Sequence, residues 1–165
     1  MGMTSTFIAL PNAKLDEFKA DPQDVAEFFF SQMELNASET VLDIDKSWQG
    51  IHFLLTGDAY GGAEPHCLPI LGGKEIGEEL SYGPARYLEP EQVQAAAAVL
   101  AHTSVAELKK SYVPAKLEAA QIYPTGIWED EGDGAFEYLA HWYESLQNFY
   151  AQAAKRGDAM LLAIM

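Results

Sequence analysis

Asp43-Ile44-Asp45-Lys46 sets two carboxylates at i and i+2, shortly ahead of Trp48 and His52. Two acids close to an imidazole have the makings of a general acid–base pair or of a cation site. The simpler use is local, with Asp45 capping a helix and Asp43 accepting from nearby backbone donors. His52 follows Trp48 at i+4 on a helix that reads as buried, where small shifts carry its titration across neutrality. A core histidine held by a carbonyl is the competing account. In Tyr82-Gly83-Pro84-Ala85-Arg86-Tyr87-Leu88, the Gly-Pro turn puts Arg86 at the start of an extended segment. A guanidinium there can clamp a carboxylate or phosphate, or it can serve an internal ion pair. Asp43, Asp45, Trp48, His52, Arg86 and Trp128 together form the candidate pocket of a small-molecule enzyme or sensor. No residue among them is assigned a catalytic role.

Other titratable groups carry weaker patterns. His66-Cys67 beside Pro65 offers no recognised zinc spacing, even combined with His52. Glu137, His141 and Glu144 stand at i, i+4 and i+7 of a long helical pattern, which suits a solvated face better than a metal half-site. His102 closes a helix, where an imidazolium suits the dipole. Glu129-Asp130-Glu131-Gly132-Asp133-Gly134 fails as a calcium loop, because the twelfth position from Asp130 is His141. Gly72-Gly73-Lys74 lacks the Ser or Thr of a phosphate loop, and no Gly-x-Ser-x-Gly elbow occurs. The sequence therefore predicts neither metal nor cofactor.

The elements that would position these residues can be read from periodicity and punctuation. Residues 3–10 read as a strand ended by Pro11. Asp21-Pro22 reads as an N-cap and N1 proline opening a helix through Val25, Phe28 and Phe29. Residues 45–55 read as a helix closed by Thr56-Gly57, with Trp48, Ile51 and Leu55 on one face. Between 58 and 89 the chain reads as loops and short strands, including 68–71 and 85–88. Pro90 starts a helix through Val93, Ala96, Ala97 and Leu100. Ser104 with Glu107 predicts a capping box, and Pro114 begins another short helix. Phe136, Leu139, Ala140, Tyr143, Leu146, Tyr150 and Ala153 keep helical spacing up to Lys155-Arg156, with Gly157 at the stop. Asp158 leads into seven consecutive apolar residues, 159–165, as expected of a central strand covered on both faces. A helix feeding such a strand predicts an α/β fold: a helix-rich single domain over 1–165, with a small mixed sheet and helices on both faces, a three-layer sandwich.

Bulk composition narrows the function classes. Of 165 residues, 48% are apolar and 12% aromatic, which excludes a disordered chain. One cysteine cannot form an internal disulfide, and no secretory leader or membrane-length apolar run is visible. Met1-Gly2-Met3-Thr4-Ser5-Thr6 satisfies a loose myristoylation pattern, but no basic cluster follows to reinforce it, and a strand explains the segment. The expected location is the cytoplasm. Ten basic against 25 acidic side chains leave a formal charge of −15, carried by both halves of the chain. Such a field repels nucleic acid and anionic membranes and attracts basic proteins. The expected function is a binding protein with an acidic surface, of the antitoxin or immunity kind, engaging a basic protein partner. The enzyme or sensor reading above is the alternative. The apolar arc of the last helix, from Tyr138 and Trp142 round to Tyr143, also allows a homodimer.

Several stretches together resemble the YfbM-like family of bacterial proteins of unknown function. They are Met1-Gly2-Met3, the run from Leu42-Asp43-Ile44-Asp45-Lys46-Ser47-Trp48 through His52-Phe53-Leu54-Leu55-Thr56-Gly57, residues 82–88, Ile122-Tyr123-Pro124, and 149–163. The Asp-x-Asp-Lys-x-Trp…His-Phe…Thr-Gly run is the most specific of them. The resemblance implies a one-domain α/β sandwich and no established activity, so no site residue is carried over from it.

Overall fold

Six consecutive buried residues, Ser5–Leu10, form β1, which stops where Pro11 withholds a backbone donor. The computed structural model describes residues 2–165; Met1, part of the Met1-Gly2-Met3 stretch, lies outside the described residues. Helix α1 (Asn12–Ala20) follows at once and buries only Leu15 and Phe18. Asp21 accepts from the backbone N–H of Gln23 and so opens a 3-10 turn, Pro22–Asp24, rather than the α-helix itself. Helix α2 (Val25–Leu35) then runs to Asn36, and strand β2 (Val41–Asp43) returns alongside β1. A 3-10 turn, Asp45–Ser47, leads into α3 (Trp48–Thr56), which ends at Gly57.

Residues 68–71, expected as a strand, are instead one helical turn, α4 (Leu68–Leu71). Four apolar residues are too few for periodicity to separate strand from helix. Strands β3 (Lys74–Glu79) and β4 (Pro84–Leu88) form a hairpin with an irregular register between Ile76 and Glu79. Helix α5 (Pro90–His102) has the N1 proline and a reciprocal capping box between Glu89 and Gln92. Helices α6 (Val105–Ser111), α7 (Pro114–Ala119) and α8 (Trp128–Glu131) are short. Helix α9 (Asp133–Arg156) is the longest element. It ends at Gly157, whose φ of +75° suits the left-handed C-terminal position, and delivers β5 (Ala159–Ile164).

The five strands make one sheet in the order β2-β1-β5-β4-β3. Every pairing is antiparallel, so the expected mixed sheet is corrected on that point. An uninterrupted apolar run reports coverage of both faces, and strand direction does not enter into it. Coverage is as expected. Phe7, Ala9, Leu88, Met160 and Leu162 point into the larger core beneath α3, α5 and α9. Ile8, Leu10, Ala85, Leu161 and Ala163 point to the smaller core under α1 and α2. Alternate residues of β5 thus feed two cores, as the period-2 geometry of a strand requires. The result is a helix-rich α/β domain in three layers. Its edges are blunted: β2 has three residues, and β3 carries Lys74, Glu75, Glu78 and Glu79. No helix among the described residues is long and apolar enough to cross a membrane.

Candidate functional site

The first turn into α3 does not follow the local capping scheme. Asp45 sits at φ +52° and caps nothing; its carboxylate accepts the Tyr138 hydroxyl of α9 at 2.7 Å. The same hydroxyl accepts the Lys46 N–H at 3.1 Å, so Tyr138 bridges the turn through both of its roles. Burial, and then the adjoining Asp45 carboxylate, hold the Tyr138 phenol well above its ordinary titration range. Asp43 does what the simpler reading gave it, accepting the Asp45 N–H at 2.7 Å. Partial burial raises its carboxyl, against the lowering effect of that bond.

Trp48 points its indole N–H at the Met3 carbonyl (3.2 Å) and stacks on Tyr123 with ring centroids 6.3 Å apart. The Tyr123 hydroxyl accepts the Met3 N–H at 3.0 Å. Met3 is thereby gripped on both sides of its backbone. A Cβ at Gly2 would collide with the Tyr123 hydroxyl and the Lys46 side chain. Buried Gln49 accepts from Tyr123 N–H at 2.8 Å and donates to the Ala59 carbonyl at 3.1 Å. Trp128, fully buried, donates to the Ile122 carbonyl at 2.8 Å and lies against Gly50 of α3, where a Cβ would come within 3.0 Å of its ring.

His52 is fully buried, with Nε2 2.8 Å from the Gly61 carbonyl and Nδ1 without a partner among the described residues. Burial lowers its pKa, outweighing the opposing pull of that carbonyl and of Asp58. Asp58 organises the same loop, accepting from Tyr60 N–H and Gly61 N–H at 2.9 and 2.7 Å, and those bonds lower its own pKa. His52 is therefore the core histidine held by a carbonyl. Arg86 serves the sheet: Nε donates to Gly72 O (3.1 Å), Nη2 to Gly73 O (2.8 Å), and Nη1 pairs with Glu75 at 3.4 Å. Gly73, at φ +82°, comes so close to the Tyr87 carbonyl that no side chain fits.

Of the six candidate residues, Asp43, Asp45, Trp48 and Trp128 therefore meet around α3 with Met3, Tyr123 and Tyr138. His52 faces the 58–61 loop from within the core, and Arg86 is bonded to the 72–75 segment. Four recesses on the surface are lined by other residues entirely. The α3 junction joins the chain's N-terminal segment, two loops and α9; chemically it is a set of filled hydrogen bonds. Tyr123 and Tyr138, which complete it, had no local signal, because their partners lie 74 to 120 residues away. Among the described residues no group of three or more His, Cys, Asp or Glu is placed to hold a metal. Glu137, His141 and Glu144 all lie exposed on α9.

A second arrangement, unseen in the sequence, lies on the α1–α2 face. Lys14 Nζ sits 4.8 Å from the Phe18 ring centroid and 5.9 Å from that of Phe28. Those residues border a shallow recess of about 310 Å³ with Asp24 and Glu27. On the other side of Phe18 a recess of about 380 Å³ holds Glu75, and there Lys19 Nζ lies 5.7 Å from the Tyr87 ring. Each recess combines carboxylate and aromatic ring, the two groups that attract organic cations.

Fold and junction together define a three-layer, helix-rich α/β domain tied together around α3. The chain belongs to the family described as "Domain of unknown function (DUF1877)", whose model matches residues 1–163. Among solved structures it is similar to YfbM from Escherichia coli, a protein of unknown function, at 23% identity. That likeness covers 98% of this chain and 99% of the other, with a TM-score of 0.72, and it concerns the fold. No curated protein sequence matches the chain.

Proposed function

We propose that this protein is a cytoplasmic binding protein whose acidic surface engages a basic protein partner, in the manner of antitoxin or immunity proteins. The observation that carries the reading is the state of its charges. None of the 25 carboxylate side chains is buried, and six of the ten bases are already spent in ion pairs. Nineteen acids are left against four bases, so the outward field is strongly negative and steers cations toward the molecule.

The α1–α2–β3 face suits such a partner best. Asp16, Glu17, Asp21, Asp24, Glu27 and Glu34 lie along the two helices and their connecting turn, all exposed. Glu75, Glu78 and Glu79 extend the field onto β3, which packs beside α2. The two recesses interrupt this field with aromatic rings, and Phe30 (43% exposed) and Leu35 (70%) add apolar surface on α2. Carboxylates set the association rate, and rings with apolar side chains set the residence time.

The test is fluorescence anisotropy with a labelled peptide of alternating arginine and alanine. Binding is expected at low salt and should weaken at least tenfold between about 50 and about 500 mM salt. Neutralising Asp24, Glu27, Glu75 and Glu78 should weaken it roughly tenfold, by loss of charge-assisted contacts. Neutralising Glu129, Asp130, Glu137 and Glu144 instead should matter much less. Absence of low-salt binding, or equal losses in the two variants, overturns the reading.

A further inference from the structure

The largest of the four recesses is neither at the α3 junction nor on the acidic face. It is a groove of about 800 Å³ along the second half of α9, completed by Ser38, Glu39 and Leu42 from the α2–β2 connection and β2. Ser145, Asn148, Phe149, Gln152, Lys155 and Arg156 keep three- and four-residue spacing, so one face of α9 forms a whole wall. At 1.5 Å per residue that wall is roughly 16 Å long.

Floor and wall differ in chemistry. Phe149 is buried and Leu42 half-buried, and both pack into the larger core, so the bottom of the groove is apolar and fixed. The other seven lining residues are polar. Arg156 closes one end as a strut, donating to Asp158 at 2.7 Å and to the Glu39 carbonyl at 3.1 Å. The Ser145 hydroxyl donates to the His141 carbonyl at 3.3 Å and keeps its own lone pairs. No other lining side chain bonds a described residue. Asn148 and Gln152 therefore stand one turn apart as complete amides, each with a donor and an acceptor on one carbon.

Charge narrows the occupant. The Arg156 guanidinium is already paired with Asp158, which leaves Glu39 and Lys155, one charge of each sign. An anion would also meet the field of a chain at −15 and the negative C-terminal end of α9. A cation would face Lys155 and Arg156 together. A peptide held as an added strand would need the outer backbone groups of β2, those of Val41 and Asp43, and neither residue lines the groove.

We propose that this groove binds a neutral oligosaccharide, its hydroxyls on the Asn148 and Gln152 amides and the C–H face of a ring on Leu42 and Phe149. Two neighbouring hydroxyls donate with one and accept with the other, which satisfies both halves of one amide. A pyranose carries hydroxyls at its edge and C–H groups on its faces, matching a polar wall above an apolar floor. The volume falls among ligand clefts, which span about 300–1,000 Å³, and the length of the wall suits a short chain of rings better than a single one. This site is separate from the acidic face and does not depend on a basic partner.

The experiment is an amide NMR titration of the full-length, 15N-labelled chain with maltotriose, cellotriose and mannotriose at millimolar concentration. At least one of them should shift residues 38–42 and 145–156, with an affinity unchanged between about 50 and about 500 mM salt. The double variant N148A/Q152A, whose two side chains are exposed, should keep the spectrum elsewhere and weaken that binding at least fivefold. Inorganic phosphate and the zwitterion trialanine should leave both segments unshifted. The proposal is overturned if none of the three sugars shifts these segments, if the double variant binds equally, or if the affinity falls with salt. Phosphate or trialanine shifting the segments as strongly as the sugars overturns it too.

Discussion

Two regions of this molecule set carboxylates beside aromatic rings, and they use the pairing in opposite ways. At the α3 junction, Asp45, Tyr138, Trp48 and Tyr123 spend their polar atoms on one another and on the backbone of Met3 and Lys46. On the α1–α2 face, Phe18 and Phe28 meet Asp24, Glu27 and the chain's own Lys14 in an open recess. The first pairing is closed and fixes geometry; the second is open and leaves charge available. Residue types alone therefore do not mark a site. What marks it is whether the polar atoms remain uncommitted.

That contrast can be broken by experiment. The greatest loss should come from deleting residues 161–165, which removes most of the strand feeding both cores; the expected result is insoluble or unfolded protein by circular dichroism. At the junction, Gln49→Leu strands the Tyr123 N–H and the Ala59 carbonyl, and should cost about 2–4 kcal/mol in denaturant unfolding. Tyr138→Phe should cost less, about 1–2 kcal/mol. On the open face, neutralising Asp24 and Glu27 should move stability by no more than about 0.5 kcal/mol. A stability loss there as large as that at the junction would erase the distinction.

Acid should also act on the closed side. His52 is held neutral in the fold with its pKa below 6.5, so the unfolded chain takes up the proton first. Its contribution is complete above about pH 6.5, declines as pH falls below that value, and levels off below the folded pKa. Unfolding free energy measured from pH 7.5 downward should show this component, and His52→Gln should remove it. Lys14 tests the open side through binding rather than stability. Lys14→Ala vacates the aromatic recess and should tighten binding of the arginine–alanine peptide roughly two- to fivefold. Lys116→Ala on α7, which removes the same charge elsewhere, serves as the control.

The sequence disclosed elements whose signals are local. Pro90, the long spacing from Phe136 to Ala153, Gly157 and the apolar run after it gave α5, α9 and a central β5. It concealed elements with thin or distant signals. Helix α1 buries just Leu15 and Phe18, too little for a periodic stripe, and the recess built on Phe18 went unseen with it. Asp45 looked like a cap because caps are local, whereas its partner is 93 residues away on α9. For Arg86 the internal ion pair is legible and is made with Glu75, whereas its two backbone carbonyl acceptors carry no side-chain signature. His52 was legible as buried, and Asp43 as a backbone acceptor.

The place of β5 in the sheet has a consequence for how the molecule is made. Strand β1 pairs with β2, and β3 pairs with β4, yet these two antiparallel pairs touch no common strand until β5 enters between β1 and β4. Of the five described strands, the keystone is the last to be synthesised. The nascent chain therefore carries two half-sheets with raw inner edges and cannot close until translation has passed Ile164. Closure then joins residues 149 to 159 positions apart, and such long-range pairing is slow because the loop entropy is lost before the contacts form. Until β5 has been made, the inner edges of β1 and β4 have no partner strand, and that interval is when a nascent-chain chaperone has its greatest opportunity.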